Sequence, residues 1–214
     1  MLCSLILLNA LLLPANSPTS SEDWLLGSVS AKADIRRDSD GVTLSNGLVS
    51  QHIQLTPNAT TVSLDNLMTG ESLLRAVGPE ADLVVDGKRI VVGGLEGQPD
   101  RAFLFDSWRS SLKAIPGALK FARYELSTPK SSIPWVHTRH STPAQWPPVG
   151  KAIKLVFEGE GIEADVEYDI YDGIPLVSKL LTVVNRSQKT IRLNSFTTEN
   201  LSLIEAESDP DARD

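Results

Sequence analysis

The sequence predicts an all-β antiparallel sandwich with one short helix, and three features of the chain lead to this prediction. Two hairpin signals, Asn46-Gly47 and Asp86-Gly87, each stand between alternating apolar runs. Asn-Gly and Asp-Gly favour type I′ turns, which need a positive φ at both central residues. The third feature is the stretch from Ile162 to Ile170, in which apolar and acidic residues alternate strictly. A period of two is typical of a strand with one buried face.

The remaining strands follow from the same alternation and from the turns between them. In the first half the predicted strands are Val42–Ser45, Leu48–Leu55, Thr60–Leu67, Leu83–Val85 and Ile90–Val92. In the second half they are Ile153–Phe157, Ile162–Ile170, Leu176–Val184 and Thr190–Phe196. Short turns at Gly159-Glu160-Gly161, Asp172-Gly173 and Asn185–Gln188 separate the later strands, which therefore predict an antiparallel meander.

Two segments depart from this pattern. Phe105, Trp108, Leu112 and Ile115 fall at helical spacing before Pro116-Gly117, which predicts one helix within residues 101–115. The segment 130–150 is rich in proline and tryptophan and has no periodicity, which predicts a long loop. Long loops in compact domains are often functional.

Composition restricts the classes of function. The chain has 214 residues, of which 41% are hydrophobic and 22% charged, so it can bury a substantial core. Its formal net charge is -7, and its basic residues are scattered. A nucleic-acid partner is therefore not expected, because phosphate recognition needs clustered Lys and Arg. No cofactor is predicted, because no phosphate-binding glycine motif is present.

The N-terminus predicts export. Residues 1–21 begin with an almost wholly apolar run and end in small polar residues, as signal peptides do, although no Lys or Arg precedes the run. The run is too short for a spanning helix, which needs about 20 apolar residues. The expected organisation is a signal peptide over 1–21, a linker or first strand over 22–40, the sandwich over 41–205 and a polar tail or truncated linker over 206–214. A periplasmic or extracellular location follows. Cys3, the only cysteine, lies within the presumed signal.

Candidate site residues lie in the predicted loop. Trp135 and Trp146 can offer flat aromatic faces to a sugar, and His137 and His140 can bind its hydroxyl groups. These four residues are the predicted carbohydrate contacts, and the competing interpretation is that each tryptophan seals the edge of the sandwich. No metal site is predicted, because the His-Thr-Arg-His spacing suits a metal only on a helix.

No catalytic residues are predicted either. The acidic row along the strand 162–170 could hold paired carboxylates or calcium, but a charged row on an alternating strand is normally a solvated face. Its members are Glu163, Asp165, Glu167 and Asp169, followed by Asp172.

Several segments resemble the N-terminal domain of family 36-like α-galactosidases. They are Leu44–Val49, Asp65–Arg75, the regions of Trp135 and Trp146–Gly150, and Tyr168–Lys179, whose Tyr-Asp-Gly-Ile-Pro core is the most specific. The resemblance implies a β-supersandwich, akin to the galactose-mutarotase-like sandwich, placed before a catalytic (β/α)₈ barrel. It leaves open whether the sandwich is complete here. The family's catalytic aspartates belong to the barrel, so none can be placed in this chain.

Three functions follow as expectations. The leading one is a non-catalytic sandwich that supports a catalytic barrel in an α-galactosidase-like glycoside hydrolase. The second is a stand-alone carbohydrate-binding or adhesion sandwich. The third is a small mutarotase-like enzyme, for which His137, His140 and Glu125 are the candidate groups.

Overall fold

The structure is a computed structural model that describes residues 24–25, 27, 29–136, 138, 140 and 144–204. Its regular elements are almost all strands, so the predicted all-β class is confirmed. The strands are β1 (Asp34–Arg37), β2 (Gly41–Ser45), β3 (Val49–Gln54), β4 (Thr60–Asn66), β5 (Glu71–Ser72), β6 (Leu74–Ala76), β7 (Ala81–Val85), β8 (Lys88–Val92), β9 (Leu95–Glu96), β10 (Lys113–Ala114), β11 (Lys120–Ser127), β12 (Gly150–Gly159), β13 (Ile162–Tyr171), β14 (Val177–Asn185), β15 (Leu193–Thr197) and β16 (Ser202–Leu203). The helix is α1 (Asp106–Arg109).

The strands form three main sheets, and all paired strands are antiparallel. A five-stranded sheet has the order β1-β2-β3-β4-β5, and a four-stranded sheet has the order β11-β12-β13-β14. A three-stranded sheet has the order β15-β7-β8, and two ribbons pair β10 with β9 and β16 with β6.

One hydrophobic core joins the three main sheets. It contains Leu44 and Ile53 from the five-stranded sheet, Leu83 from the three-stranded sheet, and Phe157 and Val166 from the four-stranded sheet, all essentially unexposed. A smaller cluster lies apart and consists of Val62, Val77, Leu95 and Leu112. Burying a large apolar side chain stabilises a fold by about 1.5–3 kcal/mol, so the main cluster is the dominant source of stability.

Both predicted hairpins form, but their turns differ. Asp86 and Gly87 both have a positive φ, 49° and 78°, as a type I′ turn requires. In the β2–β3 hairpin only Gly47 has a positive φ, 82°. Asn46 is instead fully buried, and its Nδ2 donates hydrogen bonds to the carbonyls of Tyr171 and Ile174, each at 2.7 Å. The side chain of Asn46 therefore serves a long-range contact as well as the turn.

The predicted helix is much shorter than its periodicity suggests. Of residues 101–115 only α1, Asp106–Arg109, is helical, and Lys113–Ala114 pairs with Leu95–Glu96 as a strand. Short helices are marginal without tertiary contacts, and α1 buries none of its residues. The chain after it pairs with β9 instead of continuing the helix. No helix in the described part of the chain is long and apolar enough to cross a membrane.

The predicted meander holds for three strands and then ends. Strands β12, β13 and β14 pair consecutively, with Ile162 opposite Asn185 and Ile170 opposite Val177. The next strand, predicted over 190–196, forms as β15 over Leu193–Thr197, but it pairs with β7 in another sheet. Alternation predicts where a strand lies, but it does not predict a partner more than 100 residues away along the chain.

A buried carboxylate connects the sheets. Glu80 precedes β7 and is 2% exposed. Its Oε1 accepts a hydrogen bond from the backbone N–H of Thr61 on β4 at 2.6 Å. Its Oε2 accepts one from the hydroxyl of Tyr168 on β13 and lies 3.3 Å from Nζ of Lys179 on β14. Lys179 also pairs with Glu199 at 3.1 Å. One side chain thus joins the five-stranded and four-stranded sheets.

Replacing Glu80 by alanine is expected to lower the free energy of unfolding by about 3–5 kcal/mol, because it removes the buried carboxylate that accepts from the Thr61 N–H and the Tyr168 hydroxyl and that neutralises Lys179 together with Glu199. Tyr168→Phe removes a single hydrogen bond to the carboxylate and should cost less, about 1–3 kcal/mol. Urea-induced unfolding measures both. The matched control is Glu96→Ala, which changes an exposed side chain on β9 and is expected to stay within about 0.5 kcal/mol of the original chain. A loss below about 1 kcal/mol for Glu80→Ala would contradict the role assigned to this carboxylate.

Candidate functional site: an aromatic loop and a polar cluster

The predicted loop connects two neighbouring strands of the four-stranded sheet. Strand β11 ends at Ser127 and β12 begins at Gly150, and these strands pair with each other. None of the described residues between 128 and 149 is in a helix or a strand. The segment is therefore the long connection between two paired strands, and connections between strands commonly carry binding residues.

The structure brings the two predicted tryptophans together. The ring centroids of Trp135 and Trp146 lie 6.2 Å apart, with an interplanar angle of 39°. Both rings remain accessible, with exposures of 43% and 48%. The indole N–H of Trp146 donates a hydrogen bond to Oγ of Ser131 at 3.1 Å, which fixes one ring relative to the start of the loop. The pair forms an exposed aromatic surface.

The structure describes one of the two predicted histidines. His140 lies exposed in a turn of the same loop. His137 lies outside the described residues. Trp108 lies outside this loop, is half-buried and makes an edge contact with Phe105 at a centroid distance of 4.8 Å.

The acidic row on β13 is less solvated than predicted. Glu163 is 8% exposed and is paired with Arg186 at 2.6 Å. Burial raises the pKa of the Asp165 carboxyl, although Lys154 at 3.7 Å opposes the shift. Burial also raises the pKa of Asp169, and one oxygen of each aspartate is buried without a hydrogen-bond partner. The acidic face of β13 is therefore only partly exposed to solvent.

Glu125, the carboxylate considered for mutarotase-like chemistry, is held by two cations. Lys154 lies 2.8 Å from it and Arg123 lies 3.4 Å from it. The hydrogen bond from Lys154 lowers the pKa of Glu125. A carboxylate held ionised in this way suits a structural ion pair better than a general acid.

The shift at Asp169 predicts a pH dependence of stability. Because folding raises the pKa of Asp169, the contribution of this carboxyl to stability is fully present below the unfolded pKa near 3.8. That contribution is lost as the pH rises through the folded pKa. The free energy of unfolding of Asp169→Asn, relative to the original chain, should therefore increase between about pH 4 and pH 7. Denaturant titrations at several pH values measure this difference.

Glu125→Gln is the control of opposite sign. The lowered pKa of Glu125 gives stability that is present at neutral pH and lost in acid, so this variant should lose relative stability as the pH rises. A relative stability of Asp169→Asn that does not change with pH would contradict the assigned effect of burial.

A second polar cluster was not predicted from the sequence. Asp38 and Asp40 lie in the turn between β1 and β2, and His52 lies on β3. The ligand atoms of these three side chains lie within 4.8 Å of one another, and they form the one such group found among the described residues. Arg109 of α1 forms an ion pair with the cluster, and its Nη2 lies 2.7 Å from Oδ2 of Asp40.

The cluster borders an open pocket of about 590 Å³. The lining residues are Asp40, Gln54, Thr56, Pro57, Asp106, Arg109, Ser110 and Leu112. Three buried polar atoms at this place have no hydrogen-bond partner: Nε2 of His52, Oε1 of Gln54 and Nε of Arg109. The pKa of His52 is lowered, chiefly by burial and then by the charge of Arg109. The Asp-Ser-Asp turn was visible in the sequence, but nothing placed His52 and Arg109 beside it.

Comparison with known proteins does not assign the chain to a family. No family model matches it, and no curated protein matches it. The functional interpretation therefore depends on the chain's own residues and their geometry.

Proposed function

We propose that this chain is a non-catalytic β-sandwich module of a carbohydrate-active protein, and that the loop 128–149 contacts a sugar through Trp135 and Trp146. The observation that carries this proposal is the paired exposure of the two indoles, at 43% and 48%. Large aromatic side chains are normally well buried, and Trp pairs that remain accessible are typical of surfaces that bind a ligand.

The chemistry of the pair suits a sugar. One face of a pyranose ring is lined by C–H groups and packs well on an electron-rich indole, while its hydroxyl groups need polar partners around the edge. His140 lies exposed in the same loop and can supply such a partner. The resemblance of residues 168–179 to α-galactosidase-type sandwiches makes galactosides the first ligands to test.

Support of a catalytic (β/α)₈ barrel is the second role that the structure favours. Residues 176–204 leave several large apolar side chains exposed: Leu176 51%, Leu180 44%, Leu193 43%, Phe196 60%, Leu203 44% and Ile204 53%. Exposed apolar surface can serve as an interface, and we propose that these side chains contact the barrel. We also propose that the barrel is that of a glycoside hydrolase and that the protein is exported.

Replacing Trp135 or Trp146 by alanine is expected to weaken galactoside binding at least about fivefold, since loss of an aromatic contact costs roughly 1 kcal/mol or more. Isothermal titration with galactosides and plant oligosaccharides measures the affinity. The matched control is Val136→Ala, which removes an exposed apolar side chain from the same loop and should leave the affinity unchanged. Binding that survives both tryptophan substitutions, or an original chain that binds none of these sugars, would contradict the proposed contact.

The coding sequence downstream of Asp214 tests whether a catalytic barrel follows the sandwich. An open reading frame with repeated strand–helix units is the expected result, because a (β/α)₈ barrel needs that alternation. A stop codon followed by unrelated sequence would instead favour a stand-alone carbohydrate-binding sandwich.

A further inference from the structure

We propose that the free edge of β14, Val177–Asn185, pairs antiparallel with β14 of a second copy of this chain and forms a symmetric dimer. Strand β14 ends the four-stranded sheet, and in the described part of the chain it pairs with β13 alone. One side of this nine-residue strand therefore presents backbone N–H and C=O groups with no strand beside them. The proposed pairing does not depend on sugar binding by the aromatic loop.

The other strands that end a main sheet carry features that oppose such pairing. Natural proteins protect sheet edges with charges, short strands and bulges. Strand β11 is rich in charge and has an irregular register between Phe121 and Arg123. Strand β1 has three charged residues among four, β5 has two residues, β8 begins with Lys88 and Arg89, and β15 has five residues and an irregular register. By contrast, β14 has nine residues, a regular register against β13 and one charged residue, Lys179.

The core beneath β14 is incompletely covered. Leu181 and Val183 pack against the main core cluster but are only half-buried. Their cross-strand neighbours on β13, Val166 and Ala164, are both 0% exposed. Leu180, which points to the opposite face of the sheet, is 44% exposed. A further strand beside β14 would remove apolar surface from water on both faces, and this burial favours association.

A second copy of β14 suits this edge because the strand is compatible with two-fold pairing. A register centred on Leu181 sets Val177 opposite Asn185 of the second copy and Lys179 opposite Val183, so no like charges meet. Antiparallel pairing of nine residues forms about eight to ten backbone hydrogen bonds. That number is close to the roughly ten direct hydrogen bonds of a typical protein–protein interface.

The proposed barrel is not the source of this strand. The strands of a (β/α)₈ barrel close on one another and leave no free edge. Leu193, Phe196, Leu203 and Ile204, which we assigned to the barrel contact, lie outside β14, so the two interactions can be tested separately. Two-fold pairing uses the same edge of both copies, and association therefore stops at the dimer.

Analytical ultracentrifugation of the full chain without an affinity tag, in the absence of sugar and over a wide range of concentrations, tests the proposal. A reversible monomer–dimer equilibrium is expected. Backbone amide hydrogen exchange should show protection within residues 177–185 that increases with protein concentration. A chain that stays monomeric at every concentration, association beyond two copies, or a dimer whose added protection lies elsewhere would overturn the proposal.

Charge exchange on β14 tests the pairing itself. The double variants Leu180→Glu/Thr182→Glu and Leu180→Lys/Thr182→Lys change two exposed side chains. In the register centred on Leu181, residue 180 lies opposite residue 182 of the second copy, so each variant alone brings like charges together. Each should dimerise at least about tenfold more weakly than the original chain. An equimolar mixture of the two should recover dimerisation because opposite charges then meet, and a mixture that stays monomeric would contradict the pairing.

Leu126→Lys is the matched control. It changes an exposed leucine of β11, the strand at the other end of the same sheet, and should leave the dimer affinity unchanged. Loss of the dimer in this control would overturn the assignment to β14. Circular dichroism checks that every variant is folded. The lysine variant places its new charges beside Glu167 and Asp165 of its own β13, and it remains informative if the glutamate variant fails to fold.

Discussion

The buried carboxylate of Glu80 is the interaction on which the arrangement of the sheets depends. A charge placed at 2% exposure is strongly unfavourable unless hydrogen bonds and an opposite charge surround it. Here those partners come from three strands: Thr61 on β4, Tyr168 on β13 and Lys179 on β14. A sandwich packed only by apolar contacts could slide in register, whereas these directional bonds select one placement.

The chain after β14 returns to the neighbourhood of Glu80. Lys179 reaches past Glu80 to Glu199, which lies just beyond β15. Strand β15 leaves the meander and pairs with β7, whose first residue directly follows Glu80. Burial raises the pKa of Glu199 while the nearby Lys179 opposes the shift, as expected for a carboxylate drawn into a partly desolvated junction.

Local patterns predicted local structure well. The alternation of Ile162–Ile170 and the Asp86-Gly87 turn are properties of adjacent residues, and both appear as predicted. The aromatic loop was also predicted, because proline and the lack of periodicity are visible along the chain. What the sequence did not reveal were the contacts between distant segments, such as the bonds of Asn46 to Tyr171 and Ile174 and the meeting of His52 with Arg109. The helix was overestimated because its spacing was counted without the pairing of Lys113–Ala114 with the distant strand Leu95–Glu96.

The position of the loop 128–149 has a consequence for how such a module can diversify. The strands that flank it, β11 and β12, are paired along their length, and β12 is held on its other side by β13. Doubling the length of a flexible loop costs only about 0.6 kcal/mol in closure entropy, a small amount beside a core of this size. The loop can thus be lengthened, shortened or exchanged while the sheet beneath it keeps its register. The same scaffold could accept loops of different shape, which makes it suitable for grafting new binding surfaces.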